Sequence, residues 1–355
     1  MSNADDERNA ERKRKLALMR KIESFKSGNL AKLLDSDLPS IDFLIENLIP
    51  YYKITIIFGP GEQFKSSFCF YLALCLATGR DTFLYKIDKQ SNVLWLDEEM
   101  GVIGLKEKAS RLAKGLHIDN NELKDNFFYE SINGFKLDNE NHIERLRSII
   151  LTHYIDVVFI DSVSRVMEGD ENKAKDVALL HSNMRNLCEK QGVSFVVIHH
   201  TNKYNTGKKK NIESIRGSSD FGNQVDFSYS LMTVGKDKYK LAPAKARYRK
   251  SIKPFTPINF KVTDVDDGME LEYVGTVQEN VQESVTSKIV NVTLKYFKDN
   301  PKEEYTSKEV YNVLEKLKYK STSIDRALSN LSAGKIIKRS YGKIVYVKSK
   351  PKTNP

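Results

Sequence analysis

The stretch Ile54-Thr-Ile-Ile-Phe-Gly-Pro-Gly-Glu-Gln-Phe-Lys-Ser-Ser67 decides how this chain folds. An apolar, β-branched run ends at Gly59, and a helix begins near Lys65, so the order is strand, tight turn, helix. Backbone N–H groups of such a turn converge on one point, where the helix dipole also attracts an anion. The stretch therefore predicts a phosphate-binding turn. Its contributing residues are Gly59, Gly61, Phe64, Lys65, Ser66 and Ser67.

Two side chains of this turn have specific expected partners. Lys65 would reach the terminal phosphates of a nucleotide, and Ser66 would hold Mg²⁺. Phe64, however, stands where the usual Gly-x-x-x-x-Gly-Lys-Ser/Thr spacing has its second glycine. Glycine tolerates positive φ and phenylalanine does not. The phenylalanine should narrow the conformations open to the turn, which leaves two outcomes: closure in a helical geometry, or a weak or specialised nucleotide site.

Composition bounds the class of protein. The 355 residues, 40% of them apolar, suffice for one large or two smaller domains. No apolar run approaches the roughly 20 residues of a membrane span, and the charged N-terminus lacks a signal-peptide core. We expect a cytoplasmic protein without a membrane partner. Cys69, Cys75 and Cys188 lie in apolar helical patterns, which favours buried thiols over disulfides or a zinc site.

The positive charge is concentrated near the C-terminus. Residues 281–355 hold 14 Lys and 2 Arg against 7 acidic residues, which makes +9 of the chain's formal +10. A basic segment attached to a near-neutral body is typical of a nucleic-acid contact. A solvated, lysine-rich face is the alternative.

Short apolar strands alternate with helical patterns through the first 200 residues. The predicted strands after the opening stretch are 92–97, 127–130, 157–160 and 195–198. The helical patterns between them run over 68–79, 102–116, 143–151 and 172–190. This alternation predicts a doubly wound α/β domain with a mostly parallel sheet, whose strands end along one edge. From Asp226 onward, strand patterns separated by turn signals predict an antiparallel hairpin extension.

The predicted boundaries follow these changes of pattern. They are an N-terminal helical segment at 1–36, an ATPase domain at 37–277, a polar linker at 278–287, a small domain at 288–349 and a tail at 350–355. The small domain has the pattern of three helices followed by a hairpin, which is the order of a winged helix. Lys320 and Arg326 lie in or beside its third helix, the predicted recognition element.

Polar residues follow the predicted parallel strands. Asp161 follows Val-Val-Phe-Ile, a usual setting for a carboxylate that holds the water shell of Mg²⁺. Glu98 and Glu99 follow the first strand after the opening stretch, at 92–97, and a carboxylate there can orient or deprotonate an attacking water. His199 and His200 end the fourth strand and could sense the γ-phosphate. Each position alone has a structural explanation, but four such strand ends in one sheet indicate an ATPase.

The order of motifs resembles the RecA-like ATPases of the RepA type, the hexameric replicative helicases of plasmids. The resemblance rests on Gly-Pro-Gly-Glu-Gln-Phe-Lys-Ser-Ser, Trp-Leu-Asp-Glu-Glu-Met, Val-Phe-Ile-Asp-Ser-Val-Ser-Arg, Ile-His-His-Thr-Asn-Lys and Arg-Gly-Ser-Ser. It spans about residues 37–275 and does not cover the N-terminal segment or the predicted winged helix.

The resemblance implies roles for particular residues. The catalytic glutamate would be Glu99, with Glu98 as a spacer, and the metal-site aspartate would be Asp161. The His-His-x-x-Lys motif would fall on His199, His200 and Lys203. Arg216 would occupy the Arg-Gly-Ser-Ser position, while Lys245 and Arg247 would be the Lys-x-Arg pair that enters a neighbouring subunit's nucleotide site. An arginine that acts in the nucleotide site of a neighbouring subunit, called an arginine finger, implies a homo-oligomer, which we expect to be a hexamer.

The basic stretch that follows the fourth strand is the main DNA candidate. Lys203, Lys208, Lys209, Lys210 and Arg216 lie where RecA-like proteins place a DNA-binding loop in the central channel. A plain surface loop is the alternative. Because no primase or nuclease signature is visible, strand synthesis or cutting would come from a partner such as an initiator or primase.

Three functions remain open from the sequence. The first is a ring-forming, ATP- and Mg²⁺-dependent DNA helicase or translocase of a plasmid, virus or mobile element. The second is an ATP-dependent DNA-binding regulator or loader that does not unwind. The third is a nucleotide-binding scaffold that docks proteins through its winged helix.

Overall fold

The chain forms two compact units, Met1–Val277 and Gln278–Pro355. The structure is a computed structural model, which describes residues 3–61, 64–83, 85–170, 173–200, 224–247, 255–276, 285–302, 304–333, 337–340 and 342–346. Within these ranges, no helix combines the length and the apolar character needed to cross a membrane.

The first unit is built on a large sheet. Its strands and a small preceding ribbon are β1 (Phe43–Ile45), β2 (Ile49–Pro50), β3 (Ile54–Gly59), β4 (Val93–Asp97), β5 (Phe127–Ser131), β6 (Val157–Asp161), β7 (Ser194–His200), β8 (Phe227–Gly235), β9 (Lys238–Ala246), β10 (Ile258–Val265) and β11 (Gly268–Thr276). Its helices are α1 (Asn3–Ser24), α2 (Leu30–Leu34), α3 (Lys65–Thr78), α4 (Gly101–Gly115), α5 (Asn120–Leu123), α6 (Glu140–Thr152) and α7 (Ala174–Gln191).

The sheet is mostly parallel, as predicted. In the described part of the chain it has nine strands in the order β11-β10-β9-β8-β3-β7-β6-β4-β5. The strands β8, β3, β7, β6, β4 and β5 pair in parallel with their neighbours. The strands β8, β9, β10 and β11 pair antiparallel and form the extension. β3 lies between β7 and β8, while β4, the next strand along the chain, lies beyond β6. Such a reversal of strand order opens a crevice at the carboxyl ends of the strands.

Both faces of the sheet are buried, which explains its fully apolar strands. Within β4, Val93 and Trp95 pack into the core that includes α3 and α4, whereas Leu94 and Leu96 pack into the core that includes α6 and α7. This alternation follows from the two-residue period of a strand. The sheet is therefore a rigid base for the residues at its edges.

The N-terminal segment is one long helix followed by a short one. α1 buries Met19 and contacts α7. The Lys15 Nζ atom lies 2.9 Å from Asp156 Oδ1, just before β6. These contacts fasten α1 to the edge of the sheet opposite the strand carboxyl ends.

The second unit has its own small core. Its elements are α8 (Val285–Asp299), β12 (Tyr305–Thr306), α9 (Ser307–Lys316), α10 (Ser321–Ala333), β13 (Ile337–Ser340) and β14 (Lys343–Tyr346). The three helices enclose a core that includes Phe297 and Leu328, and the strands form a sheet in the order β12-β14-β13. Thr306 caps α9 by accepting a hydrogen bond of 3.1 Å from the Glu309 N–H.

Two details differ from the sequence prediction in this unit. α8 begins at Val285, inside the stretch predicted to be a linker, because the polar start of a helix lacks an apolar pattern. β12 was not predicted, since two residues are too few to show a strand period.

Candidate functional site

At the turn after β3, the backbone of β8 comes very close to Gly59. A Cβ atom on Gly59 would lie 2.2 Å from the Leu231 carbonyl oxygen of neighbouring β8, so only glycine fits there. Gly61 has open space around its Cα, and Ser66 and Ser67 lie in the first turn of α3. The first N–H groups of α3 are thus available to an anion at this turn.

Phe64 adopts a conformation that the sequence did not predict. Its φ is 59° and its ψ is 10°, in the left-handed region, so the expectation that phenylalanine does not adopt a positive φ is wrong at this position. Left-handed backbone costs an ordinary L-residue about 1 kcal/mol. The half-buried Phe64 ring stacks on Tyr239 of β9, with ring centroids 5.0 Å apart, and this packing offsets the cost.

Lys65 is buried at the start of α3. The residue is 3% exposed, and its Nζ atom donates a 2.5 Å hydrogen bond to the Pro60 carbonyl. Burial lowers the pKa of Lys65 to about 8, against the opposing charges of Asp161 and Glu99. A nucleotide phosphate would give this ammonium the anionic partner that offsets its burial.

Ser66 and Asp161 meet across the crevice. The Ser66 hydroxyl donates a 2.9 Å hydrogen bond to Asp161 Oδ1 at the end of β6. Asp161 is 1% exposed, and burial raises the pKa of its carboxyl group. Two hard oxygen ligands beside a phosphate site fit Mg²⁺, which takes few protein ligands and completes its shell with water and phosphate.

Lys108 belongs to this site, although no sequence motif pointed to it. Its Nζ atom lies 3.5 Å from Asp161 Oδ2 and 5.6 Å from the ring centroid of Trp95, and its side chain is only 8% exposed. It counters the effect of burial on the pKa of Asp161. The one signal in the sequence was its position on α4, since Lys108 falls between Leu105 and Leu112 on the buried stripe of that helix.

The two glutamates after β4 have different surroundings. Glu98 accepts hydrogen bonds from the Gly134 and Phe135 N–H groups, at 3.1 and 3.0 Å, and so fastens the loop after β5. Glu99 instead has its Oε2 atom 4.0 Å from His200 Nε2. His200 is the main cause that lowers the pKa of Glu99. The structure thus brings Glu99, and not Glu98, to the predicted γ-phosphate sensor.

The histidines lie beside the turn because β3 and β7 pair in register. His200 is opposite Gly59, and the buried His199 is opposite Phe58. Lys65, Ser66, Glu99, Asp161 and His200 therefore share one edge of the sheet.

Asp97 holds the backbone that carries Glu99. Its buried carboxylate accepts hydrogen bonds from the N–H groups of Glu99, Met100 and Gly101, at 3.2, 2.9 and 2.9 Å, and from the Ser131 hydroxyl at 2.7 Å. We expect Asp97→Ala to lower the free energy of unfolding by about 3 kcal/mol, because four partly buried donors would lose a charged acceptor. Asp97→Asn keeps one acceptor oxygen and should cost less. Urea unfolding measures both, and a negligible loss in Asp97→Ala would contradict this role.

Lys245 and Arg247 lie at the opposite edge of the sheet. Lys245 pairs in register with Ser228 and Ala246 with Phe227, near the start of β3 rather than its end. Five residue steps along β3 put about 16 Å between that edge and the turn. The Arg247 Nε atom lies 3.9 Å from Asp226 Oδ1. Arg247 therefore lies too far along the sheet to reach the nucleotide turn of its own chain, whereas Lys245 lies level with Ile56, three residues before Gly59.

His181 adjoins Arg247 at this second edge. It is 7% exposed, and its Nε2 atom has no hydrogen-bond partner in the described part of the chain. Burial, and then the charge of Arg185, lower the pKa of His181 to about 4 from 6.5. Asp226 favours the charged form, whereas Arg247 adds to the lowering.

Because the pKa of His181 is lowered in the folded chain, we expect the free energy of unfolding to depend on pH. Between pH 6.5 and pH 4 the unfolded chain binds a proton that the folded chain does not, so stability falls as pH falls through this window. From pH 7 to pH 5 the loss should be about 2 kcal/mol. His181→Gln should reduce the difference between unfolding free energies at pH 7 and pH 5 by that amount. An unchanged difference would show that His181 titrates normally in the folded chain.

The predicted DNA contacts divide between two regions. Lys203, Lys208, Lys209, Lys210 and Arg216 lie outside the described residues. Lys320 and Arg326 are exposed, immediately before and within α10 of the second unit.

One family model matches the chain, and two solved structures resemble it weakly. Residues 21–206, more than half of the 355, match the family model described as AAA domain. No protein with a curated description matches the chain. Two solved structures are similar at a level below that which establishes a shared fold. One is an ATPase domain, with a TM-score of 0.46 and 13% identity, covering 62% of this chain and 84% of that one. The other is the RadB recombinase, with a TM-score of 0.45 and 15% identity, covering 62% and 90%.

The family match includes the turn after β3, Glu99, Asp161 and His200, which are the residues that the fold gathers at one edge. The chain belongs to the AAA domain family and is a P-loop ATPase.

Proposed function

We propose that this protein is a ring-forming, ATP- and Mg²⁺-dependent DNA helicase or translocase of the RepA type, acting in replication of a plasmid, virus or mobile element. The observation that carries the proposal is the separation of two sets of residues. The nucleotide turn, Glu99 and Asp161 occupy one edge of the sheet, and Arg247 occupies the other. The nucleotide site and Arg247 of one chain are therefore too far apart to act together. In this proposal, Arg247 of a second copy completes the site.

The position of each residue at the carboxyl edge suits it to a particular part of ATP binding or hydrolysis. Lys65 and the N–H groups at the start of α3 bind the phosphates and offset their charge. Ser66 and Asp161 would hold Mg²⁺, and the ion would neutralise charge that develops on the phosphates. Glu99 accepts the proton of the attacking water, and its lowered pKa keeps it ionised for that role.

His200 links hydrolysis to the rest of the chain. It lies beside Glu99 at the end of β7, shortly before the basic stretch 203–216. Loss of the γ-phosphate beside His200 would move the end of β7. The basic stretch, with Lys203, Lys208, Lys209, Lys210 and Arg216, would then change its grip on single-stranded DNA with each turnover.

Oligomer assembly supplies the cation that completes the site. Arg247 of one copy, with Lys245 beside it, would approach the phosphates bound by the next copy. We propose a hexamer, with a replication initiator or a primase as its partner.

The second unit favours one alternative. Its order of helices and strands is that of a winged helix, and the exposed Lys320 and Arg326 at α10 suit phosphate contacts to duplex DNA. A loader or regulator would use ATP to assemble on duplex DNA through this unit without unwinding it.

Strand displacement on a forked DNA separates the two functions. We expect the wild type with ATP to release the displaced strand, and Lys65→Ala to release none. Lys320→Glu with Arg326→Glu should weaken binding to duplex DNA. ATP-dependent assembly on duplex without any released strand would contradict the helicase and favour the loader.

A further inference from the structure

A cavity of about 620 Å³ lies at the amino edge of the large sheet, where the parallel strands begin. Tyr51 and Tyr52 line it from the segment before β3, Lys89 from the segment before β4, and Asp156 from the residue before β6. Helix α1 supplies the rest of the described lining, which shares no residue with the nucleotide turn. The volume is within the usual range of small-molecule pockets.

Two tyrosine rings form one wall of the cavity. The centroids of the Tyr51 and Tyr52 rings lie 5.5 Å apart, and the ring planes are inclined at 47° to each other. Both side chains are half-buried, so neither ring is wholly packed away. Ala10 and Leu18 of α1 add aliphatic surface. The wall therefore offers an area on which a planar aromatic group can stack.

The backbone of Tyr52 is held in an uncommon conformation. Its φ is 58°, in the left-handed region, which costs an ordinary L-residue about 1 kcal/mol. The Tyr52 N–H donates a 2.8 Å hydrogen bond to the hydroxyl of Ser194, at the start of β7, and so holds the residue there. Strained backbone of this kind is concentrated at sites that bind ligands.

Cations outnumber anions in the cavity lining, where three side chains are cationic and one is anionic. The anion is Asp156, whose Oδ1 accepts a 2.9 Å hydrogen bond from Lys15 Nζ and whose Oδ2 accepts one of 3.0 Å from the Asn92 N–H. Both of its oxygens are thus already bonded within the protein. The other two cations, Arg14 and Lys89, are exposed and suit a phosphate.

The Tyr51 ring has a charged group on each side. Its hydroxyl donates a 2.7 Å hydrogen bond to Asp88 Oδ2, while the Lys89 Nζ atom lies 5.9 Å from the ring centroid. These contacts fix the orientation of the ring, and they place a cation within reach of any group that stacks on it.

Basic and aromatic side chains continue along α1 beyond the cavity. Arg12 and Lys13 are exposed. The Arg12 guanidinium lies 4.8 Å from the centroid of the Tyr154 ring, and its Nη1 atom donates a 3.2 Å hydrogen bond to the Tyr154 hydroxyl. Tyr154 is exposed and lies shortly before β6, at the same edge of the sheet. We call these residues the amino-edge row: Arg12, Arg14, Tyr51, Tyr52, Lys89 and Tyr154. A small ligand would use the cavity alone, whereas a strand could follow the whole row.

We propose that the cavity binds one nucleotide unit of single-stranded DNA, with the base stacked on Tyr51 and Tyr52 and the phosphate beside Arg14 and Lys89. Aromatic surfaces beside cations bind single strands with little regard to sequence, because every base has a π-face. The bases of a duplex are stacked on one another and do not offer such a face.

This site adds a second contact to the proposed binding of single-stranded DNA and rests on the proposed function only for the identity of the polymer. It is separate from the nucleotide turn, because β3 lies between Tyr52 and that turn and its five residue steps span about 16 Å. Substitutions in the cavity should therefore change DNA binding and leave ATP turnover without DNA as in the wild type.

Tyr52 tests the stacking surface. Binding of a fluorescently labelled oligothymidylate to the full-length protein is measured by anisotropy at several salt concentrations. We expect Tyr52→Leu to bind roughly tenfold more weakly, the usual loss for one base–aromatic stack. Tyr52→Phe keeps the ring and should bind like the wild type. A Tyr52→Phe variant as weak as Tyr52→Leu would contradict stacking.

The two exposed cations test the phosphate contacts. Arg14→Gln combined with Lys89→Gln should weaken binding and make the slope of log affinity against log salt shallower by about 1.4, since each lost contact to a single strand removes about 0.7. Tyr52→Leu should leave that slope unchanged. Because Arg14 and Lys89 are exposed, this double variant tests the site even if Tyr52→Leu weakens the fold.

Lys106→Gln combined with Lys114→Gln is the matched control, because it removes the same charge from exposed positions of α4, outside the amino-edge row. It should bind the oligonucleotide like the wild type. Thermal unfolding should confirm that all variants are folded.

Thymidine monophosphate, titrated by calorimetry, distinguishes a free nucleotide from a strand. We expect it to bind far more weakly than the oligonucleotide, because it contacts the cavity and not the whole row. Binding as tight as that of the oligonucleotide, and lost in Tyr52→Leu, would overturn the assignment to a strand.

The remaining results separate this site from the proposed function. Wild-type affinity in Tyr52→Leu, or equal changes of slope in the two double variants, would overturn the site. A wild type that binds no single-stranded DNA would overturn the proposed function and the site together. A wild type that binds DNA through Tyr52 but displaces no strand from a fork would overturn the helicase and support the site.

Discussion

Glu99→Gln should lower ATP turnover by about a thousandfold, the middle of the range for loss of a general base. The amide cannot take up the proton of the attacking water. It still fills the same space beside His200, so ATP should bind to within a few-fold of the wild type. Turnover in single-turnover conditions and equilibrium binding of ATP measure the two effects separately.

Glu98→Gln is the matched control for this variant. Glu98 accepts hydrogen bonds from two backbone N–H groups of the loop after β5, one at each carboxylate oxygen, and the amide oxygen of the glutamine can still accept from one of them. Turnover near the wild-type rate is expected. The assignment would be contradicted if Glu98→Gln lost activity and Glu99→Gln kept it.

Arg247→Ala should lower turnover by about 10³ to 10⁵, the contribution of an arginine finger, while ATP binding to the isolated subunit is unchanged. The reason is the position of Arg247 at the edge of the sheet opposite its own turn, from which we propose that it acts in the site of another copy. Mixing Arg247→Ala with Glu99→Gln should restore activity, because some interfaces then combine an intact Glu99 with an intact Arg247.

Arg185→Ala controls for a structural effect. Arg185 contacts the buried Asp226 at 3.3 Å, on the same carboxyl group as Arg247. If Arg247 merely neutralised Asp226, both variants should lose activity alike, and mixing with Glu99→Gln should restore neither. An active Arg185→Ala together with recovery in the Arg247→Ala mixture supports a finger that acts across subunits.

The sheet and the carboxyl-edge residues were predictable from local patterns. Fully apolar runs such as Val157–Ile160 identify buried parallel strands, and in such sheets the residues that follow strands collect at one edge. Asp161, Glu99 and His200 could therefore be expected near Lys65 from the order of strands and helices alone.

Other features depend on tertiary packing, so the amino-acid sequence gives only a weak indication of them. Lys108 reaches Asp161 from a different element, so no motif places the two together. The left-handed backbone of Phe64 depends on Tyr239, which is 175 positions further along the chain. The antiparallel register that takes Arg247 to the far edge follows from the pairing of β8 with β9, which the sequence pattern predicts only as a hairpin.

ATP turnover with and without single-stranded DNA is the measurement that tests the central claim most directly. It requires the full-length wild type and Lys65→Ala, with Mg²⁺ present. We expect DNA to raise the turnover of the wild type, and Lys65→Ala to be inactive under both conditions. Equal rates for both proteins, with and without DNA, would contradict a DNA-stimulated ATPase.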